Sequence, residues 1–168
     1  MTMCAAALRL LIVDDDPGMV ELLRGIGETS GFEVRSVTAP AAVGRAVTCF
    51  RPDIVLLDLV MPDMDGIELV GGAIPPDDRR SVILLSGLPQ ELIDAAARLG
   101  RARGVRILGS LRKPIPMRVL RAELEKAKAD LQAVSQQPID QRATRDRTIG
   151  ASGAAANDAD RRPPPASP

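Results

Sequence analysis

Acidic, hydroxyl and ammonium side chains follow four of the short apolar runs in this sequence. They are Asp14, Asp15 and Asp16 after the first run, Asp58 after the third, Ser86 after the fourth and Lys113 beyond the fifth. Crowded carboxylates repel one another, and a hard divalent cation such as Mg²⁺, which prefers oxygen ligands, relieves that repulsion. A cation beside a carboxylate and a lysine outlines a phosphoryl-transfer site, in which Asp58 would be the nucleophile that forms an acyl phosphate.

The acidic residues also have a purely structural interpretation. An acidic triplet before Pro17 is typical of a helix cap, and an aspartate at a strand end, such as Asp58, is usually a turn residue. Asp63 and Asp65 are interpreted as turn formers, with Gly66 supplying a backbone angle that other residues avoid. The chemical interpretation is favoured because the polar residues occur together at four strand ends.

The spacing of apolar residues predicts the elements that position these side chains. Five runs of four to six residues are typical of strands buried on both faces: Leu8–Val13, Phe32–Val37, Ile54–Leu57, Val82–Leu85 and Val105–Leu108. Helical spacing follows them, in the segment opened by Asp16 and Pro17 and in Ala41–Phe50, Gly66–Ala73, Pro89–Arg103 and Pro116–Val134. This alternation predicts a doubly wound α/β fold with a mostly parallel sheet, whose site forms at the carboxyl ends of the strands.

Composition excludes several classes of function. The 168 residues include 22 basic and 22 acidic side chains, so bulk charge indicates neither a nucleic-acid partner nor an anionic membrane. There is no histidine for general-base catalysis or metal ligation, and there are no Trp or Tyr and only two Phe to stack on bases. Two cysteines are too few for a disulfide framework, and no apolar run reaches the roughly 18 to 20 residues of a membrane span. A cytoplasmic protein is therefore expected.

Composition also divides the chain into three parts. Residues 1–7 are interpreted as an N-terminal extension and residues 8–134 as one folded domain. Residues 135–168 are rich in Ala, Pro, Arg and Asp and carry few apolar side chains, so a disordered tail is expected. No second folded domain is expected, because this tail is too short and too polar to form a core.

The sequence resembles the receiver domain of two-component response regulators, the CheY-like family, over about Leu8–Val134. Four stretches carry the resemblance: Leu10–Pro17 (LLIVDDDP), Pro52–Gly66 (PDIVLLDLVMPDMDG), Val82–Gly87 (VILLSG) and Leu111–Pro114 (LRKP). The resemblance implies a flavodoxin-like fold of five strand–helix units, with a five-stranded parallel sheet in the order 2-1-3-4-5.

The resemblance also implies roles for the acidic residues. Asp58 matches the phosphoacceptor, which takes a phosphoryl group from a histidine of a partner kinase or phosphotransfer protein. Asp15 matches the direct ligand of Mg²⁺, and Asp14 matches its neighbour, which often acts through water. The backbone carbonyl of Val60 matches a further ligand, so Asp14, Asp15, Asp58 and Val60 form the implied metal site.

Residues at the ends of the fourth and fifth strands match the family's switch. Ser86 matches the hydroxyl that moves to bond the phosphoryl group, Lys113 matches the lysine that pairs with it, and the bond before Pro114 is cis in the family. Phosphorylation would then bias an equilibrium between two conformations of this face. Ser110 departs from the family, which usually has Tyr or Phe there, and this puts the usual coupling between serine and aromatic in question.

The expected function is that of a single-domain response regulator, which accepts a phosphoryl group with Mg²⁺ and signals through altered binding of a downstream protein. The expected partners are a histidine kinase or phosphotransfer protein and that downstream protein, with no nucleic acid or membrane; homodimerisation is left open. Conventional turnover of small molecules is not expected. Two alternatives remain. A pseudo-receiver would bind partners without phosphorylation, and a phosphatase of haloacid dehalogenase type would use Asp14 as nucleophile and Asp16 as general acid.

Overall fold

Five strands form one parallel sheet in the computed structural model, which describes residues 7–62, 64–65, 69–76 and 80–136. The strands are β1 (Arg9–Val13), β2 (Glu33–Val37), β3 (Ile54–Asp58), β4 (Ser81–Ser86) and β5 (Arg106–Arg112). Their order across the sheet is β2-β1-β3-β4-β5, so the predicted order 2-1-3-4-5 is confirmed. The order reverses at β1, which places the carboxyl ends of β1 and β3 side by side.

Helical segments connect the strands. They are α1 (Pro17–Thr29), α2 (Val43–Phe50), α3 (Leu69–Ala73), α4 (Gln90–Ala102) and α5 (Met117–Gln136), and a short 3-10 turn precedes α2 at Pro40–Ala42. α1 begins where the sequence predicts, because the side chain of Asp16 accepts hydrogen bonds from the N–H groups of Gly18 (2.8 Å) and Met19 (3.3 Å). Pro17 occupies the first helical position, where its missing N–H is not needed.

The third helix differs from the prediction. The sequence predicts a helix over Gly66–Ala73, whereas the structure has a five-residue π-helical segment, α3, and residues 66–68 lie outside the described part of the chain. Two adjacent glycines, Gly71 and Gly72, weaken regular helix here, since glycine costs about 1 kcal/mol relative to alanine in a helix.

Alternate residues of each central strand enter two separate apolar cores. On β1, Leu11 and Val13 pack in the core that contains the buried side chains of α2 and α4. Leu10 and Ile12 pack in the core that contains the buried side chains of α1 and α5. Because successive side chains point to opposite faces and both faces are covered, the central strands read as continuous apolar runs. The two cores hold the carboxyl ends of these strands in fixed positions.

β5 lies at an edge of the sheet and is longer than its apolar run. The sequence predicts a strand over Val105–Leu108, whereas β5 continues to Arg112, which still pairs with Ser86 of β4. The pairing shifts by one residue after Ile107, so that Leu108 is extra, and this is a β-bulge.

The chain divides into two units, residues 1–132 and residues 133–168. The first contains the whole sheet, and of the second the structure describes only residues 133–136. The predicted extension before residue 7, the predicted tail from residue 137, and the predicted turn residues Asp63 and Gly66 lie outside the described residues. Within the described ranges, every helix is too short or too polar to cross a membrane.

Candidate functional site

Four strands bring the predicted site residues to one edge of the sheet. Asp14 follows β1, Asp58 ends β3, Ser86 ends β4 and Lys113 follows β5. Parallel strands have their carboxyl ends at the same edge, and three of these residues, Asp14, Asp58 and Lys113, are in direct contact there. Side chains up to 99 positions apart in the sequence thus share one small volume.

The ammonium group of Lys113 bridges two buried carboxylates. Its Nζ lies 2.7 Å from Oδ2 of Asp14 and 2.7 Å from Oδ2 of Asp58. The side chain of Asp14 is fully buried and that of Asp58 is 6% exposed, so both depend on this cation for charge compensation. Burial lowers the pKa of Lys113, but hydrogen bonds and attraction to the two carboxylates outweigh burial and raise its pKa above the ordinary 10.5.

Backbone amides hold the other oxygen of each buried carboxylate. The N–H of Asp16 donates to Oδ1 of Asp14, and the N–H of Val60 donates to Oδ1 of Asp58, each with a nitrogen–oxygen distance of 3.0 Å. Each carboxylate therefore contacts one cation and one amide, which fixes its orientation. Sequence reasoning missed the amide of Val60 as a contact of Asp58; the available signal is the tendency of aspartate to bond the backbone two residues on.

Asp15 completes an acidic cluster. One oxygen from each of Asp14, Asp15 and Asp58 lies within 4.8 Å of the other two. Asp15 is half-buried and makes no hydrogen bond or ion pair with the residues that the structure describes. Three carboxylates without histidine or cysteine are the donors that a hard cation such as Mg²⁺ prefers, so the residues present fit that ion.

Ser86 is fully buried at the end of β4. Its Oγ accepts a hydrogen bond of 3.1 Å from the N–H of Leu88, and its carbonyl accepts one of 2.8 Å from the N–H of Lys113. The hydroxyl-bearing residue and the lysine are therefore joined through the backbone. The Lys113–Pro114 peptide bond is cis, as the family resemblance implies.

Asp16 has a structural role in this arrangement. Its carboxylate is exposed and is engaged by the first N–H groups of α1. This contact is the helix cap of the structural interpretation, and it occupies the group that the phosphatase alternative needs as a general acid.

A family model described as the response regulator receiver domain matches residues 10–125. Among curated proteins, the chemotaxis protein CheY of Listeria monocytogenes is 39% identical over 94 residues, which span 52% of this chain and 76% of that protein. The DNA-binding response regulator MtrA of Mycolicibacterium smegmatis is 41% identical over 61 residues, which span 36% of this chain and only 27% of that protein.

Solved structures agree with the sequence comparison. A response regulator from Colwellia psychrerythraea is 33% identical with a TM-score of 0.60, over 72% of this chain and 96% of that one. A CheY-like receiver domain from Methanospirillum hungatei, at 24% identity, has the same fold with a TM-score of 0.62, over 79% of this chain and 100% of that one. The family match covers more than half of the chain, and the chain belongs to the response regulator receiver domains of two-component systems.

Proposed function

We propose that this receiver domain takes a phosphoryl group onto Asp58 from a phosphohistidine of a partner kinase or histidine phosphotransfer protein. A carboxylate oxygen of Asp58 forms the new O–P bond, the N–P bond breaks, and the histidine nitrogen keeps the electron pair. The observation that carries this proposal is a buried carboxylate 2.7 Å from a lysine, in a cluster with two further aspartates.

Asp14, Asp15 and Asp58, with the backbone carbonyl of Val60, are proposed to hold Mg²⁺. When bound, the cation supplies positive charge that offsets the repulsion between these carboxylates and the phosphoryl oxygens. Lys113 supplies further positive charge, because its Nζ already contacts Asp58. The site therefore stabilises transferred charge by position, with little covalent chemistry left to the protein.

Ser86 and Lys113 are proposed to carry the signal away from Asp58. Phosphorylation adds about −1.5 to −2 charge and strong acceptor oxygens. These oxygens compete with Asp14 for Lys113 and draw the hydroxyl of Ser86 away from the N–H of Leu88. Because Ser86 ends β4 and Lys113 follows β5, the rearrangement biases the conformation of this part of the sheet.

The proposed output is altered affinity for a downstream protein, as in a single-domain regulator. The match to a chemotaxis protein over 76% of its length supports this output. The chemistry would be limited to accepting the phosphoryl group and losing it by hydrolysis.

Intact-mass spectrometry of the full chain after incubation with acetyl phosphate and Mg²⁺ tests this proposal. We expect the labile addition of one phosphoryl group in the wild type and none in Asp58→Ala. Asp130→Ala, which removes a carboxylate from α5, is the matched control and should be modified like the wild type. If the folded wild type is modified neither by acetyl phosphate nor by a phosphohistidine protein, the proposal is wrong and the pseudo-receiver alternative is supported.

A further inference from the structure

β2 lies at one edge of the sheet, and some of its backbone groups point away from its neighbour β1. The N–H of Glu33 donates to the carbonyl of Leu8 with a nitrogen–oxygen distance of 2.9 Å. The carbonyl of Val37 accepts a bond of 3.3 Å from the first N–H after β1. Residues that bond one neighbouring strand alternate with residues that face the opposite side. The N–H and carbonyl groups of Val34 and Ser36 therefore point outward, where no strand of the described chain pairs with them.

Two opposite charges lie on the same face of β2. Glu33 and Arg35 are two residues apart, and side chains with that spacing in a strand point to one face. The guanidinium of Arg35 lies 4.7 Å from the centre of the Phe50 ring on α2. The side chain of Glu33 is 51% exposed, with its Oε2 3.6 Å from Nε of Arg9. Arg35 is also exposed and forms no ion pair with the described residues, so both charges are open to a partner.

We propose that a second copy of this chain pairs with β2 in an antiparallel arrangement, with the two-fold axis at Val34, so that two sheets become one. In this register the two Val34 residues form the central hydrogen-bonded pair, and Glu33 of each copy lies opposite Arg35 of the other. Residues opposite each other at that position are not hydrogen-bonded to one another, and their side chains come closest. This inference goes beyond the proposed function, because β2 carries none of the phosphorylation-site residues.

Charge selects this register over its neighbours. A two-fold axis at Arg35 would place the two Arg35 side chains directly opposite each other, which is unfavourable. An axis at Ser36 would place Arg35 opposite Val37 and would leave Glu33 without a cationic partner. Of these three registers, the axis at Val34 alone pairs opposite charges, and it does so twice.

The order of the charges favours a second copy over another extended segment. Charged residues on an edge strand usually discourage pairing, because an incoming strand leaves those charges without partners. The sequence Glu33–Val34–Arg35 complements itself when its direction is reversed, so a second copy supplies both partners. An apolar segment would supply neither, and the carboxylate of Glu33 would repel a nucleic-acid backbone.

Sedimentation equilibrium of the full chain tests this inference. We expect a reversible dimer with a dissociation constant on the order of 100 µM, as befits a small interface. Glu33→Arg and Arg35→Glu should each weaken dimerisation on the order of tenfold, because each variant places like charges opposite one another. An equimolar mixture of the two variants should recover dimers, since the mixed pair again has opposite charges at both positions.

The mixture keeps the test independent of folding, because recovery requires both variants to be folded, and circular dichroism checks each one alone. Glu125→Arg makes the same charge change on an exposed residue of α5 and should leave dimerisation unchanged. Asp58→Ala should dimerise like the wild type, which separates failure here from failure of phosphoryl acceptance.

Four results would overturn this inference. They are a wild type that stays monomeric, dimers that both single variants retain, a mixture of folded variants that stays monomeric, or a loss in Glu125→Arg equal to that in Glu33→Arg.

Discussion

The carboxyl edge of the sheet and the face between α4 and β5 arrange their charges in opposite ways. At the edge, the buried carboxylates of Asp14 and Asp58 are already balanced by Lys113 at 2.7 Å. On the face, Arg98 is exposed and has no charged partner among the described residues. The difference teaches that the domain fixes the two buried carboxylates and the lysine proposed for its chemistry by contacts within the chain. The exposed arginine on the face has no such contact among the described residues.

Removing the ammonium group of Lys113 should have the largest effect on stability. We expect Lys113→Ala to lower the free energy of unfolding by about 3 kcal/mol, because two buried carboxylates lose their charge compensation. Urea unfolding measures this loss, and added Mg²⁺ should recover part of it by binding the folded state. Lys126→Ala is the control: this lysine is 67% exposed and 4.0 Å from Glu123, so a change below about 0.5 kcal/mol is expected. Equal losses in the two variants would show that Lys113 does not compensate the charge of Asp14 and Asp58.

A substitution of Asp15 should change Mg²⁺ affinity without changing stability. Since Asp15 makes no hydrogen bond or ion pair with the described residues, Asp15→Asn should weaken Mg²⁺ binding on the order of tenfold with little change in stability. Asp16→Asn is the matched control next in sequence, because asparagine caps a helix as well as aspartate does. Isothermal titration calorimetry with MgCl₂ compares the two. A larger loss in Asp16→Asn would place the ion outside the acidic cluster.

Substitutions of glycine test whether the side chains beneath the exposed arginines of α4 are tightly packed. A Cβ on Gly100 of α4 would lie 2.5 Å from Cγ1 of Val70 and 3.1 Å from Cδ1 of Ile107. Overpacking costs about 1–3 kcal/mol and the gain in helix propensity is about 1 kcal/mol, so Gly100→Ala should destabilise the protein by about 1 kcal/mol. Gly25→Ala on α1 meets nothing within 4 Å and should stabilise it by about 0.5–1 kcal/mol. Thermal unfolding measures both changes in stability. Stabilisation of both variants would contradict the tight packing around Gly100.

Raising the pH through the pKa of Lys113 should give the smallest change in the free energy of unfolding. The pKa of Lys113 in the folded state lies above 10.5, so its stabilising contribution is fully present below pH 10.5 and is lost as the pH rises through the folded value. The chain has no Tyr to titrate in the same range. Urea unfolding on both sides of pH 10.5 should show a steeper fall for the wild type than for Lys113→Met. Parallel profiles would argue against a protonated Lys113 that stabilises the fold.

The ends of the central strands could be predicted because they follow from residue patterns, whereas the sheet order was implied by the resemblance to the receiver domains. β3 and β4 are buried on both faces and therefore read as continuous apolar runs, which also fixes where Asp58 and Ser86 fall. The end of β5 could not be predicted in this way, because it depends on pairing with β4 up to Arg112. The form of α3 also escaped prediction, since apolar spacing does not report what two adjacent glycines do to a helix.

The site was predictable in its residue types but not in its contacts. Four strand ends identify the carboxylates, the hydroxyl and the lysine, yet only the structure shows that Lys113 lies between Asp14 and Asp58. The amide of Val60 is a backbone group, and its only signal in the sequence is the tendency of aspartate to bond the backbone two residues on. The face between α4 and β5 depends on the bulge at Leu108, which sets the residues of β5 that oppose α4.

Localising the phosphoryl group tests the central claim most directly. Borohydride reduces an aspartyl phosphate to homoserine, so the chain would be phosphorylated with acetyl phosphate and Mg²⁺, reduced, digested and sequenced by tandem mass spectrometry. We predict homoserine at position 58 alone. Homoserine at position 14 would contradict the assignment of Asp58 and would support the phosphatase alternative that uses Asp14 as its nucleophile.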